Sequence, residues 1–129
     1  MNKIMTNLII LFIAGTIIGS IGQIFLKKGL IETGQIDMNI NILPYTIFKI
    51  ITNKFVFLGI LLSVFAAFIG LILLSQNNLS FIYPVGVGLL FITVLLLSKI
   101  FLKETIYLSG WIGVLLIISG VITIFYSKQ

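Results

Sequence analysis

Apolar residues run through this chain in four long stretches parted by short polar clusters, near residues 6–26, 55–74, 79–98 and 106–126. Each stretch has about the 20 residues that a helix needs to cross a hydrocarbon core of roughly 30 Å. Lys27-Lys28-Gly29 closes the first and Asn53-Lys54 opens the second. Gln76-Asn77-Asn78 parts the second from the third, and Lys103-Glu104 parts the third from the fourth. The last two joints are tight, so the helices they connect must run antiparallel. The pattern predicts an all-α membrane protein of four transmembrane helices.

The first connection is longer and divides in two. Residues 31–41 include Glu32, Thr33, Gly34, Gln35 and Asp37, offer no apolar face, and are predicted to be the least ordered stretch. Over residues 42–52, Leu43, Ile47, Phe48, Ile50 and Ile51 cluster at helical spacing, and Pro44 suits a first helical turn. Two readings fit this segment: a short interfacial helix lying along the headgroups, or an extension of the second span.

Composition strengthens the membrane reading. Of 129 residues, 60% are hydrophobic and 9% charged, against about 45–50% and 25% in soluble domains. Four spans leave no room for a separate domain. The first apolar run continues to Leu26, longer than the core of a secretory signal, and is expected to remain in the protein. The net charge of +5 comes from eight lysines against Glu32, Asp37 and Glu104, with no arginine. Lys27, Lys28, Lys49, Lys54, Lys99 and Lys103 fall in the first and third connections, and only Lys3 and Lys128 lie on the other side. Lysine counting therefore puts both connections in the cytoplasm and both termini outside, although a bias of this size also fits a dual orientation. Lysines at span ends form no single basic stripe, so no nucleic-acid partner is expected.

Chemistry is sparse. Cysteine and histidine are both absent, which removes disulfides, thiol nucleophiles and the usual zinc ligands, and no metal or cofactor is expected. There is no paired carboxylate within a span, no Ser-His arrangement and no phosphate loop, so the chain is not expected to be an enzyme. The acid at Glu104 suits the start of the fourth helix, where the helix dipole favours it.

Small residues recur at helical spacing: Gly15, Gly19 and Gly22; Ser63, Ala67 and Gly70; Gly110, Gly113 and Gly120. Such faces let helices approach closely in lipid. They serve either to pack four helices within one chain or to receive a second copy. Gly19, Gln23 and Lys27 form a stripe at i, i+4, i+8, and a polar amide within a span usually faces a bundle interior or a cavity. Lys27 and Lys28 have an alternative role as snorkelling anchors. Tyr83-Pro84, followed by Gly86 and Gly88, marks a second spot where a kink, a neighbouring helix or a ligand could be accommodated.

Taken in order, Gly22-Gln23 with Lys27, Gln76-Asn77 with Phe81-Ile82-Tyr83-Pro84, Lys103-Glu104, and Gly110, Gly113 and Gly120 resemble the small four-span members of the drug/metabolite transporter superfamily. The resemblance covers nearly the whole chain. It is closest to the EamA-like subunits that flip undecaprenyl-phosphate-linked aminoarabinose, and more distant to the small multidrug resistance exporters. The latter carry an essential glutamate in span one, and that position here is Gly19, with no carboxylate in any span. The resemblance implies a homodimer, or a heterodimer with a paralogous subunit, built as inverted repeats around a central cavity. It also implies an anionic lipid-phosphate substrate, met by Lys27 and Lys28, with Gln23, Tyr83 and Pro84 along its path. The expected function is movement of a polyprenyl-phosphate-linked sugar, or a related amphipathic anion, across a bacterial cytoplasmic membrane. The competing expectations are export of a small metabolite or cationic drug, and a non-transporting membrane subunit that stabilises a partner enzyme.

Overall fold

In the computed structural model, residues 3–34 and 43–127 are described, and they contain helices and connections with no strand among them. Helix α1 spans Lys3–Thr33, α2 Leu43–Ile51, α3 Lys54–Gln76 and α4 Leu79–Leu97. A π-helical turn at Ser98–Leu102 follows α4, and α5 spans Leu108–Ser127. Three segments, Asn7–Thr33, Lys54–Gln76 and Leu79–Leu102, are helical, long and apolar enough to cross a membrane, and Leu108–Ile124 is a shorter apolar helix. Their outer faces bear large apolar side chains with no cover, among them Phe57, Phe65, Phe68 and Leu71 along α3. A contiguous surface of this kind is rare on a monomeric water-soluble protein.

The polar run Lys27-Lys28-Gly29 does not close α1, as its composition predicts. The helix continues for a further turn and more because Gly29 seats against α3: a Cβ there would lie 2.8 Å from the Val56 nitrogen and 2.9 Å from Asn53 Oδ1. Thr33 Oγ1 donates to the Gly29 carbonyl at 2.8 Å, and Lys49 Nζ of α2 donates to the Thr33 carbonyl at 2.9 Å. Residues 31–33, predicted to be among the least ordered, are thus the tied-down end of α1. Residues 35–41, the rest of that stretch, lie outside the described residues.

Helix α2 is separate from α3. The chain turns at Thr52, and Asn53 takes an extended conformation from which its side chain accepts from the Phe55 and Val56 amides at 2.8 and 3.3 Å. That N-cap starts a new helix and rules out a continuous extension of the second span. The fourth helix begins later than Glu104. Lys103 adopts a left-handed conformation, φ 55°, that ends the π-turn, and α5 starts only at Leu108 with no acid in its first turn. The helix dipole therefore does not account for Glu104.

Helix α1 is the element on which α2, α3 and α4 assemble. Its small-residue stripe runs down α3 in reverse order: Gly15 meets Ile69, Gly19 meets Ala66, Gly22 meets Ser63 and Gly59, and Gly29 meets Val56. At the crossing, a Cβ on Gly59 would stand 2.9 Å from the Gly22 carbonyl oxygen and 2.8 Å from the Leu26 nitrogen, so only glycine fits. Helix α4 lies on another side of α1, parallel to it, with Phe12 against Gly86 and Gly19 against Leu90. Helices α3 and α4 scarcely touch each other, and among the described residues α5 packs on α4, where Gly88 approaches Val121 and Ile117, and on the π-turn, where Lys99 lies over Trp111. Phe12, Leu73, Phe81, Ile82 and Val85 form the small apolar core near the α3–α4 joint.

The crossing gives a direct test. Gly59→Val should destabilise the detergent-solubilised protein by about 1–3 kcal/mol, the usual cost of overpacking. Gly70→Ala, where a Cβ meets nothing within 4 Å, should change stability by no more than about 0.5 kcal/mol. Unfolding followed by helical circular dichroism separates the two; equal behaviour would mean that the α1–α3 approach does not limit stability.

Candidate functional site

Because α3 and α4 diverge over α1, a groove of about 300 Å³ opens between the three helices. Gly15, Thr16 and Gly19 of α1, Ser63, Ala67 and Gly70 of α3, and Gly86 and Leu90 of α4 contribute to its walls, with Gln23 on the α1 side. None of the lining residues carries a charge. Two of its hydroxyls are spent on their own helices, Thr16 Oγ1 donating to the Phe12 carbonyl at 2.7 Å and Ser63 Oγ to that of Gly59 at 2.8 Å. What remains is an apolar groove with one amide side chain at its wall. Such a surface receives hydrocarbon readily, whereas an unpaired charge there would carry a desolvation penalty.

The expected site residues do not converge within one chain. Gln23 lines this groove, but the space beside Gly19 is taken: a Cβ there would meet Ala66 and Leu90 at 3.3 and 3.5 Å. Lys27 is exposed and lines no groove described here. The Lys28 ammonium lies 4.3 Å from the centroid of the Phe55 ring, which also stacks on Phe25 at 5.9 Å. Tyr83 and Pro84 line a different groove, of about 390 Å³, formed with Gly120 and Val121 of α5. Helix α4 runs unbroken through Pro84, so the proline does not end the helix. A third groove of about 600 Å³ lies where α4 meets the approach to α5, with Ser98, Glu104, Thr105 and Tyr107 on its walls.

The most buried polar group was not among the residues singled out from the sequence. Ser20 is fully buried, and its hydroxyl bonds both to the Thr16 carbonyl at 2.7 Å and to Thr93 Oγ1 of α4. Thr93 Oγ1 also lies 2.9 Å from the Leu89 carbonyl; with one proton on each hydroxyl, one donates to the other and the second donates to a carbonyl of its own helix, so neither oxygen lacks a partner. The available signal was the pair Thr16 and Ser20 at i, i+4 in an apolar run. Nothing in the sequence said which later hydroxyl would face it.

Among the described residues no group of acids, cysteines or histidines could hold a metal ion. Among the described residues the elements are all helical, with three apolar helices of membrane-crossing length and a shorter fourth. No family model, no curated protein and no solved structure matches the chain.

A double-mutant cycle on Ser20→Ala and Thr93→Val should give a coupling of about 0.6–1.7 kcal/mol, the range of hydrogen bonds between membrane helices. The measurement is denaturant unfolding in mixed micelles. Additive single effects would show that the two hydroxyls do not stabilise the α1–α4 contact jointly.

Proposed function

We propose that the chain is a four-span membrane transporter or flippase subunit. It works as an inverted-repeat dimer, identical or paralogous, and moves a polyprenyl-phosphate-linked sugar or related amphipathic anion across a bacterial cytoplasmic membrane. The observation that carries this reading is the uncharged, largely apolar groove between α1, α3 and α4. It suits a lipid chain better than a cationic drug, since no carboxylate lines it to balance a positive charge. Gln23 lines the groove, and Lys27 follows one helical turn later on the same face of α1. A lipid could therefore leave its chain in the groove and its phosphate at the lysine end, where an ammonium attracts it as a point charge. The resemblance of the sequence to lipid-flipping subunits agrees with this arrangement.

Dimerisation is supported by the fourth helix. A Cβ on Gly113 or Gly120 of α5 would meet nothing within 4 Å, so this face, where α5 borders its grooves with α4, has room for a second helix. In the proposed dimer it meets the second copy, and the grooves that hold Gln23 and Tyr83 in one chain are completed by the other. The same uncovered face also fits the alternative of a non-transporting subunit docked on a partner membrane protein. The orientation that follows from the lysines has both termini outside.

Three variants test transport in liposomes carrying candidate polyprenyl-phosphate lipids, after each is shown to insert and dimerise. Lys27→Ala and Gln23→Leu should each slow flipping by about ten-fold, equivalent to roughly 1.4 kcal/mol, and Lys27→Arg should retain part of the activity. Parental rates in both Lys27→Ala and Gln23→Leu would move the substrate site to the groove of Tyr83 and Pro84. Separately, Gly113→Leu should weaken the dimer, read by cross-linking and by elution in detergent. Unchanged association would remove α5 from the interface.

A further inference from the structure

The end of the bundle where α1 finishes and α3 begins carries a feature that transport does not require. Lys28 of α1 and Lys54 of α3 both place their ammonium groups on one ring, Phe55, at 4.3 and 5.2 Å from its centroid. Lys28 stands at i, i+4 from Glu32, a spacing that allows an ion pair, yet its ammonium lies over the ring. Glu32 Oε2 instead accepts from Asn53 Nδ2 at 3.4 Å. Neither ammonium is paired with a carboxylate among the described residues. A ring face satisfies an ammonium only in part, because the N–H donors that point away from the ring remain for an anionic oxygen. Two cations on one ring also repel each other, and an anion within reach of both would relieve that repulsion.

Helix α2 sits beside this pair with its apolar residues turned away from the protein. Tyr45, Phe48 and Ile51 are 68%, 67% and 64% exposed, and Ile47 is exposed with them, while Thr46 is buried. Lys49 bonds the Thr33 carbonyl, which ties α2 to the end of α1 and keeps its apolar side uncovered. A short helix with an uncovered apolar side, next to a cluster of lysines, matches a membrane interface where acyl chains and anionic headgroups meet.

We propose that Lys28, Lys54 and Phe55 form a binding site for the phosphate of an anionic glycerophospholipid, with the apolar side of α2 against its acyl chains. The site is distinct from the groove of Gln23 and does not depend on transport. The lipid belongs to the leaflet on the side where Lys27, Lys28, Lys49, Lys54, Lys99 and Lys103 gather. Flexible lysine stems let both ammonium groups close on one phosphate.

Native mass spectrometry of the full chain in detergent, with equal phosphatidylglycerol and phosphatidylcholine of the same acyl chains, tests this. Wild-type protein should retain phosphatidylglycerol in preference to phosphatidylcholine. Lys28→Gln/Lys54→Gln should lose that preference, by roughly five-fold for each lysine and about 25-fold together. Lys99→Gln/Lys103→Gln removes the same charge at the same end of the bundle, and Lys99 too lies over an aromatic ring, Trp111, at 5.0 Å. This control pair should stay within about two-fold of wild type, since charge falls off in effect within a Debye length. Equal retention of both lipids by the wild type would overturn the proposal, as would an equal loss in the control pair. Displacement of phosphatidylglycerol by excess inorganic phosphate would assign the site to free phosphate and overturn the lipid assignment. The wild-type and phosphate measurements need no variant, so a double variant that fails to fold leaves the test intact. A negative result here leaves the flipping assay unaffected, and a failed flipping assay leaves this binding measurement unaffected.

Discussion

The close approach of α1 to α3 is the constraint on which the rest of the structure depends. Lipid tails are as apolar as leucine, so hydrophobicity gives two spans no reason to associate, and backbone proximity must supply the contact. Gly22 and Gly59 make that possible, since a Cβ on either one would press on main-chain atoms of the other helix. Gly29 repeats the arrangement near the end of α1 and draws the helix beyond its lysines. The crossing fixes one wall of the apolar groove, because α4 joins α1 on another side and leaves α3 and α4 apart.

Polarity is then sorted by depth. Within the bundle, hydroxyls are tied to carbonyls of their own helices, and Ser20 with Thr93 gives the one contact of this kind between α1 and α4 among the described residues. At one end, by contrast, lysines accumulate on aromatic rings: Lys28 and Lys54 on Phe55, Lys99 on Trp111. Antiparallel connection brings the close of α1, the start of α3, the close of α4 and the start of α5 to this same end. The result is an uncharged middle and a lysine-rich rim.

Helix α5 stands apart from this scheme, since among the described residues it packs on α4 and the π-turn after it but not on α1, and a Cβ on Gly113 or Gly120 would meet nothing within 4 Å. The glycines of α1 and those of α5 look alike in the sequence, but their surroundings differ. The first set is consumed within the chain, whereas in the second a Cβ on Gly110 would strike Ile106 and one on Gly113 or Gly120 would meet nothing within 4 Å.

The sequence by itself determined the helical class, the number and rough limits of the apolar segments, the apolar clustering at helical spacing within residues 42–52 and the concentration of lysines in two connections. These follow from local facts: the length of an apolar run and the period of its residues do not depend on what lies opposite. The tertiary structure decided which glycine stripe is used, that α1 runs on to Thr33, that α5 begins at Leu108, and that Gln23 and Tyr83 line different grooves of one chain. It also paired Ser20 with Thr93 and set Lys28 on Phe55 in place of Glu32. The physical reason is the same in each case. Apolar residues surround these helices on nearly every side, so periodicity carries little information about which face meets a neighbour, and only the fit of one backbone against another selects it.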